Sequence, residues 1–139
     1  MKLSILWYDP DMVVTLKATD STAIDLGDML KLSSSRVTPV AAVTDDATFV
    51  GIALGQALTS ETGKEIQVAL KCICRATLTS AAYAFLDGLL WSSTTTLAAD
   101  SAANTIGWYY DWLQTGQTVT SGRVLFDVIA LGKLAGVDA

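Results

Sequence analysis

Histidine is absent from the 139-residue chain, and charged residues make up only 17% of it. Without histidine, Ser-His-Asp and Cys-His catalysis are excluded in their usual forms, as are metal sites built on imidazole. The net charge is −5, and Lys and Arg form no run. The sequence therefore lacks the positive patch that binds nucleic acid or an anionic membrane, and we expect neither partner.

Long apolar stretches are also missing. No segment approaches the length of a transmembrane helix. The N-terminal residues reach Asp9 and Pro10 too early for the apolar core of a signal peptide. We therefore expect a soluble chain that is made in the cytoplasm.

Cysteine occurs only twice, at Cys72 and Cys74. In a strand this spacing places both side chains on one face, and the tight loop between them disfavours a mutual disulfide. Two thiolates are half of a closed zinc site, and no histidine can complete it. We interpret the pair as buried, unreactive thiols and assign no metal and no cofactor.

Two carboxylate pairs remain as candidates for chemistry, Asp9 with Asp11 and Asp45 with Asp46. Either pair could bind calcium or act in acid–base catalysis. Both lie in turn-like segments, where Asp commonly accepts hydrogen bonds from nearby backbone amides. We therefore assign no catalytic residue and expect a protein that is not an enzyme, with an enzyme built on these pairs as an alternative.

Alternation of apolar and polar residues is the clearest structural signal. From Ile66 to Leu78 every even position is apolar, which predicts a long strand with one buried face and a bend or bulge within it. Other segments rich in β-branched and aromatic residues predict strands at 12–18, 28–32, 37–43, 49–54, 89–92, 105–112 and 124–131. The short connections favour antiparallel pairing.

The expected fold is mainly β, a small antiparallel β-barrel or β-sandwich with at most one short helix near residues 80–86. We divide the chain into an N-terminal arm with the first strand at 1–18, a β domain at 19–131 and a C-terminal tail at 132–139. The tail assignment rests on its small residues.

Glycine-containing motifs indicate an internal repeat. The chain runs from Gly27-Asp28-Met29-Leu30 to Phe49-Val50-Gly51-Ile52 and the strand at Ile66, then from Asp87-Gly88-Leu89-Leu90 to Thr105-Ile106-Gly107-Trp108 and the strand at Val124. Because the order is the same twice, a duplicated β motif is one interpretation. The other is that any β protein alternates glycine turns with apolar strands.

Aromatic residues are the main positive signal for function. In a strand, Trp108, Tyr110 and Trp112 share one face, while Tyr109 and Asp111 point away from it. Such an aromatic face can fill a core, anchor a protein interface or stack on a sugar. The sequence leaves these three roles open.

Trp7 and Tyr8 form a second aromatic pair near the N-terminus. A large apolar pair is costly to expose unless something covers it. Either the pair packs on the chain's own core, or the arm docks on a partner, for example by adding a strand to its sheet. The candidate partner-binding residues are therefore Trp7, Tyr8, Trp108, Tyr110 and Trp112.

The order of motifs resembles the bacteriophage head decoration proteins, the small capsid-cement proteins that coat assembled shells. The resemblance spans about residues 24–131 and rests on Leu26-Gly27-Asp28-Met29-Leu30, Val50-Gly51-Ile52-Ala53, the strand from Ile66 to Cys74, Asp87-Gly88-Leu89-Leu90-Trp91, Ile106-Gly107-Trp108 and the strand from Val124 to Val128. It implies a barrel-like or sandwich core, a homo-oligomer with a trimer favoured, and the major capsid protein as partner.

The resemblance implies a structural virion protein that binds and stabilises the outer surface of an assembled phage capsid. Three other functions stay open. They are a tail or fibre-base module of the virion, a carbohydrate-binding module that uses Trp108, Tyr110 and Trp112 as a platform, and an enzyme that uses the Asp pairs.

Overall fold

The computed structural model describes residues 3–93, 95–100 and 105–131. These ranges contain eleven β-strands and two short 3₁₀ helices, in keeping with the expected mainly β class. The strands are β1 (Ser4–Tyr8), β2 (Val13–Lys17), β3 (Met29–Ser33), β4 (Arg36–Pro39), β5 (Phe49–Ala53), β6 (Glu65–Ala69), β7 (Lys71–Ala82), β8 (Gly88–Ser93), β9 (Thr96–Ala99), β10 (Gly107–Tyr109) and β11 (Thr118–Asp127), and the helices are η1 (Val43–Thr48) and η2 (Trp112–Gln114).

The strands form two sheets that follow each other along the chain. Strands β2 to β6 have the order β2-β6-β5-β3-β4, and a parallel bridge between Ala18 and Val37 joins the two edges. Strands β7 to β11 have the order β7-β11-β10-β8-β9, and the parallel pairing of Leu78 with Leu97 closes them into a barrel. Strand β1 is added to this second sheet alongside β7.

The two sheets are two copies of one motif, which we call the first repeat (residues 13–69) and the second repeat (residues 71–127). Both have the same strand order, and both are joined by a parallel bridge between their first and third strands. The register also agrees, because Val14 pairs with Val68 as Cys74 pairs with Val124. The duplicated motif indicated by the sequence is therefore present in the fold.

The alternating segment from Ile66 to Leu78 is divided between the two repeats. Strand β6 ends at Ala69, β7 begins at Lys71, and Leu70 lies at the junction between them. All the even-numbered residues of the segment are buried, as the alternation predicted. The bend expected within one long strand is thus the point where the chain passes from one sheet to the next.

One continuous core joins the repeats. The Phe49 ring of the first repeat packs edge-on against Trp91 and Phe126 of the second, with centroid distances of 5.7 and 5.9 Å. The Trp91 indole Nε1 also donates a hydrogen bond to Met29 Sδ at 3.3 Å. A separate apolar cluster fills the interior of the first repeat. The repeats therefore form one packed unit.

At equivalent interior positions, the side chains of the two repeats differ in size, and a larger side chain at one position is offset by a smaller one at its neighbour. By strand register, Ala53 and Ile66 of the first repeat correspond to Tyr109 and Gly122 of the second. A Cβ atom at Gly122 would lie 3.0 Å from Tyr109 Cε1. The Tyr109 ring therefore occupies the space that the glycine leaves, which keeps the second interior closely packed.

Residues 80–86, where the sequence allowed a short helix, form none. Strand β7 continues to Ala82, and a turn follows in which the Ala84 amide donates to Asp87 Oδ2 at 2.8 Å. Leu86 has a φ of 70°, which no helix accommodates. None of the helices among the described residues has the length and apolar character to cross a membrane.

The N-terminal segment contributes to both sheets, since β1 pairs with β7 and β2 pairs with β6. The Leu3 amide donates to the Gly27 carbonyl at 2.8 Å and so ties β1 to the first repeat as well. Residues 132–139, assigned to a C-terminal tail, lie outside the described residues.

Candidate functional site

An apolar row crosses the outer face of the second repeat. Strand register places Trp7, Ile73, Leu125 and Trp108 side by side on β1, β7, β11 and β10. Side chains directly opposite one another share a face of the sheet. None of the four is fully buried, and Trp7 is 46% exposed. Two of the predicted residues, Trp7 and Trp108, thus lie at the two ends of one row.

Three aromatic rings form a cluster beside this row, which we call the aromatic corner. Phe85 lies 5.1 Å from Tyr110 and 6.3 Å from Trp112, and Tyr110 lies 5.7 Å from Trp112, measured between ring centroids. Trp112 is 54% exposed. Sequence reasoning found Tyr110 and Trp112 but missed Phe85, because Phe85 reaches them from the distant turn between β7 and β8.

The rings of the aromatic corner do not form a flat platform. Tyr110 and Trp112 stand at 88° to each other, and Phe85 and Trp112 stand at 77°. The guanidinium carbon of Arg123 lies 5.1 Å from the centre of the Trp112 ring, in cation–π geometry. Stacking on a sugar needs an open ring face, so this arrangement suits a shaped protein contact better than a carbohydrate platform.

Asp111 lies beneath the corner and is 1% exposed. Its Oδ2 accepts a hydrogen bond from the Arg123 amide at 3.4 Å and lies 3.8 Å from Arg123 Nε. A buried carboxylate needs such a partner, so Asp111 holds Arg123 in place. Burial, followed by the nearby Asp111 and Tyr83, raises the pKa of Tyr109, and its phenol stays neutral.

Two arginines border the apolar row. Arg75 and Arg123 are directly opposite each other on β7 and β11, two residues along from Ile73 and Leu125. Like charges in this position destabilise a strand pair. Arg123 is balanced by Asp111, whereas Arg75 is exposed and forms no ion pair with any described residue. The outer face of the second repeat is therefore locally positive in an acidic chain.

Tyr8 points away from the other four predicted residues. It is opposite Cys72, an inward position, so its ring lies on the other side of β1 from Trp7. There it lines a groove of about 500 Å³ with Ile5, Leu26 and other residues of β1 and the first repeat. The structure thus brings together Trp7, Trp108, Tyr110 and Trp112 on one outer face, with Tyr8 separate from them.

The Asp pairs have local roles in turns. Asp9 Oδ1 accepts the Asp11 amide at 3.0 Å. Asp45 Oδ2 accepts the amides of Ala41 and Ala42, both at 2.9 Å, and the carboxylate forms an ion pair with Lys31. Burial alone would raise the pKa of Asp45, but these partners together lower it. No group of three potential metal ligands occurs among the described residues.

The two cysteines are buried and free, with their sulfur atoms 3.6 Å apart. The hydrogen bond with Cys74, together with burial, raises the pKa of the Cys72 thiol. A thiol that stays protonated is a poor nucleophile and a poor metal ligand. The pair thus belongs to the apolar interior of the second repeat.

No protein-family model matches the chain, and no curated protein matches it. Among solved structures it is similar to the head fiber gp8.5 N base of bacteriophage phi29. The two chains share 16% sequence identity with a TM-score of 0.49, over 84% of this chain and 95% of that one. No residue role is carried over from that protein.

Proposed function

We propose that the chain is a structural virion protein that binds and stabilises the outer surface of an assembled phage capsid, without a catalytic role. The observation that carries the proposal is the outer face of the second repeat, where a partly exposed apolar row and an aromatic corner lie on a closed barrel. Trp, Tyr and Arg are the side chains that most often dominate the binding energy of protein interfaces.

The position of the family-like motifs in the fold supports the same function. The motif around Gly51 lies in β5, the motif around Gly107 lies in β10, and the closing strand is the end of β11. Strands β5 and β10 are equivalent strands of the two repeats, and β11 is the counterpart of β6. All three contribute to the barrel-like core that the resemblance to decoration proteins implies. A rigid barrel holds an adhesive surface in place at little entropic cost on binding.

The proposed partner is the major capsid protein, and neither nucleic acid, a membrane nor a cofactor is required. We include self-association, with a trimer favoured by the resemblance. Strand β1 supports it, because it lies at the edge of its sheet and carries Leu6, which is 51% exposed. An open strand edge with apolar side chains is a common place for contact between subunits.

The test uses undecorated shells of the phage that encodes this chain. Purified protein should bind them saturably, and electron microscopy should place it on the outer shell surface. Absence of saturable binding, or density confined to a tail or fibre base, would exclude the decoration role.

A pair of variants connects binding to the aromatic corner. Trp112→Ala removes its most exposed ring and should weaken shell binding about tenfold or more. Leu58→Ala truncates a side chain of similar exposure, 58%, in the first repeat, and it should bind as the unmodified protein does. Equal binding of the two variants to shells would show that the aromatic corner does not contribute to shell binding.

A further inference from the structure

The two repeats allow one outer face to be compared in two environments. By strand register, Ile73, Leu125 and Trp108 of the apolar row correspond to Val13, Ala69 and Ile52 of the first repeat. Met29 lies beside Ile52 and corresponds to Gly88, and Trp7 belongs to β1, outside both repeats. Met29, Ile52 and Ala69 are each at most 1% exposed and belong to the core shared with the second repeat. At these three positions, therefore, the face of the first repeat is covered by protein, whereas Val13 is partly exposed.

Among the described residues, the same face of the second repeat is covered only in part. Ile73, Leu125 and Trp108 occupy the equivalent positions and are all partly exposed. Trp108 replaces the fully buried Ile52, so the open copy of the face carries the larger apolar side chain. A face whose duplicate packs against another β structure, and which retains large apolar residues when open, is suited to docking a protein surface.

The charges on the outer face of the second repeat indicate which charge a partner bound there would carry. Arg75 and Arg123 of the second repeat take the places of Thr15 and Gln67 in the first. Thr15 and Gln67 are exposed and neutral, whereas the second repeat carries two opposed positive charges at these positions. This exchange raises the repulsion within the free protein, and it favours an occupant that brings negative charge.

Arg75 also differs from the other basic residues that the structure describes. Five of them form an ion pair with an acid, namely Lys31, Arg36, Lys64, Lys71 and Arg123. Lys17 is directly opposite Glu65. The strand neighbours of Arg75 are Ser4 and Arg123, so no acid faces it from either side.

We propose that the apolar row docks an apolar segment of the capsid protein, and that this segment places a carboxylate between Arg75 and Arg123. This inference rests on the proposed capsid-binding function and identifies the surface through which the chain would contact the capsid protein. Docking buries Trp108 and Leu125 as Ile52 and Ala69 are buried in the first repeat. The incoming carboxylate replaces the repulsion of the two arginines with charge-assisted hydrogen bonds.

The test compares two variants that each remove one positive charge from an exposed strand position, Arg75→Gln and Lys17→Gln. Binding of each to undecorated shells is measured at several salt concentrations. Arg75→Gln should weaken binding about tenfold and reduce its dependence on salt, because a charge contact to the partner is lost. Lys17→Gln should bind as the unmodified protein does, and Arg75→Lys, which keeps the charge, should retain most of the binding.

Stability provides an independent readout on the free protein. Because Arg75→Gln removes a repulsion, its unfolding midpoint should not fall, and weaker binding then reports a lost contact. Equal shell binding by Arg75→Gln and Lys17→Gln would overturn the carboxylate contact and leave the decoration role standing. Failure of the unmodified protein to bind shells would remove both proposals. If free Arg75→Gln sedimented with a different oligomer mass from the unmodified protein, the face would contact a second copy of the chain, and the inference would be overturned.

Discussion

Tyr83 and Tyr109 stack on each other in the second repeat, with ring centroids 5.2 Å apart, but their hydroxyl groups differ. The Tyr83 hydroxyl donates to the Thr79 carbonyl at 2.5 Å, whereas the Tyr109 hydroxyl is buried without a hydrogen-bond partner among the described residues. An unpaired buried hydroxyl costs stability, and a paired one contributes about 1 kcal/mol.

Replacement by phenylalanine should therefore have opposite effects at the two positions. Tyr109→Phe should leave the free energy of unfolding unchanged or raise it by up to about 1 kcal/mol. Tyr83→Phe should lower it by about 1 kcal/mol and serves as the matched control. Urea unfolding of the two variants checks this, and a clear loss of stability in Tyr109→Phe would show that its hydroxyl has a partner.

At the scale of elements, the sequence predicted strands best where one face is buried throughout. The alternation around Cys72 and Cys74 correctly predicted the inward face of β7.

The segment 105–112 was predicted as one strand, yet β10 ends at Tyr109. The alternation of buried and exposed side chains continues to Asp111, but there the chain leaves the sheet and its carboxylate meets Arg123 of β11. That contact depends on a distant strand, so no local pattern could reveal it.

Strand β9 was not predicted, because Thr96–Ala99 lies in a stretch of Ser, Thr and Ala without strong hydrophobic periodicity, which is typical of an exposed loop. Its pairing with β8 and with Leu78 of β7 makes it a strand. Tertiary pairing of this kind commonly overrides weak local preference for β structure.

The Asp45 carboxylate stabilises the N-terminal end of helix η1 by accepting hydrogen bonds from the amides of Ala41 and Ala42. Asp45→Asn should lower the free energy of unfolding by about 1 to 2 kcal/mol at neutral pH, because the amide group is a weaker acceptor and loses the Lys31 ion pair. Asp46→Asn, with no side-chain hydrogen bond or ion pair in the described structure, is the control and should have little effect.

The contribution of Asp45 should also depend on pH. Since folding lowers the pKa of Asp45, the stabilisation is fully present above the unfolded pKa of about 4 and is lost as the pH falls through the lower folded value. The difference in stability between the unmodified protein and Asp45→Asn should therefore shrink on acidification. A difference that stays constant from neutral to strongly acidic pH would contradict this origin.

For the whole molecule, the order of motifs was enough to indicate the duplication, because the glycine-containing strands recur in equivalent places. The candidate site was predictable only in part. Trp7 and Trp108 are about a hundred residues apart in the sequence, and only the register across β7 and β11 places them in one row. Tyr8 was grouped with Trp7 as a neighbour, but successive residues of a strand point to opposite faces.

The shared core predicts that the two repeats unfold together. Phe49 belongs to the first repeat, yet its ring contacts Trp91 and Phe126 of the second. Phe49→Ala should lower the free energy of unfolding by about 3 to 5 kcal/mol. Val50→Ala, in the separate interior of the first repeat, is the comparison and should cost less because it removes fewer buried atoms.

In urea, the tryptophan fluorescence and the far-ultraviolet circular dichroism of the unmodified protein should change in one coincident transition. Tryptophan reports on β1, β8, β10 and η2, whereas circular dichroism reports on both repeats. Two separated transitions in the unmodified protein would mean that the repeats fold independently and that the contacts of Phe49 do not couple them. A coincident transition that moves to lower urea in Phe49→Ala, with both signals shifted equally, would identify the Phe49 junction as part of one cooperative unit.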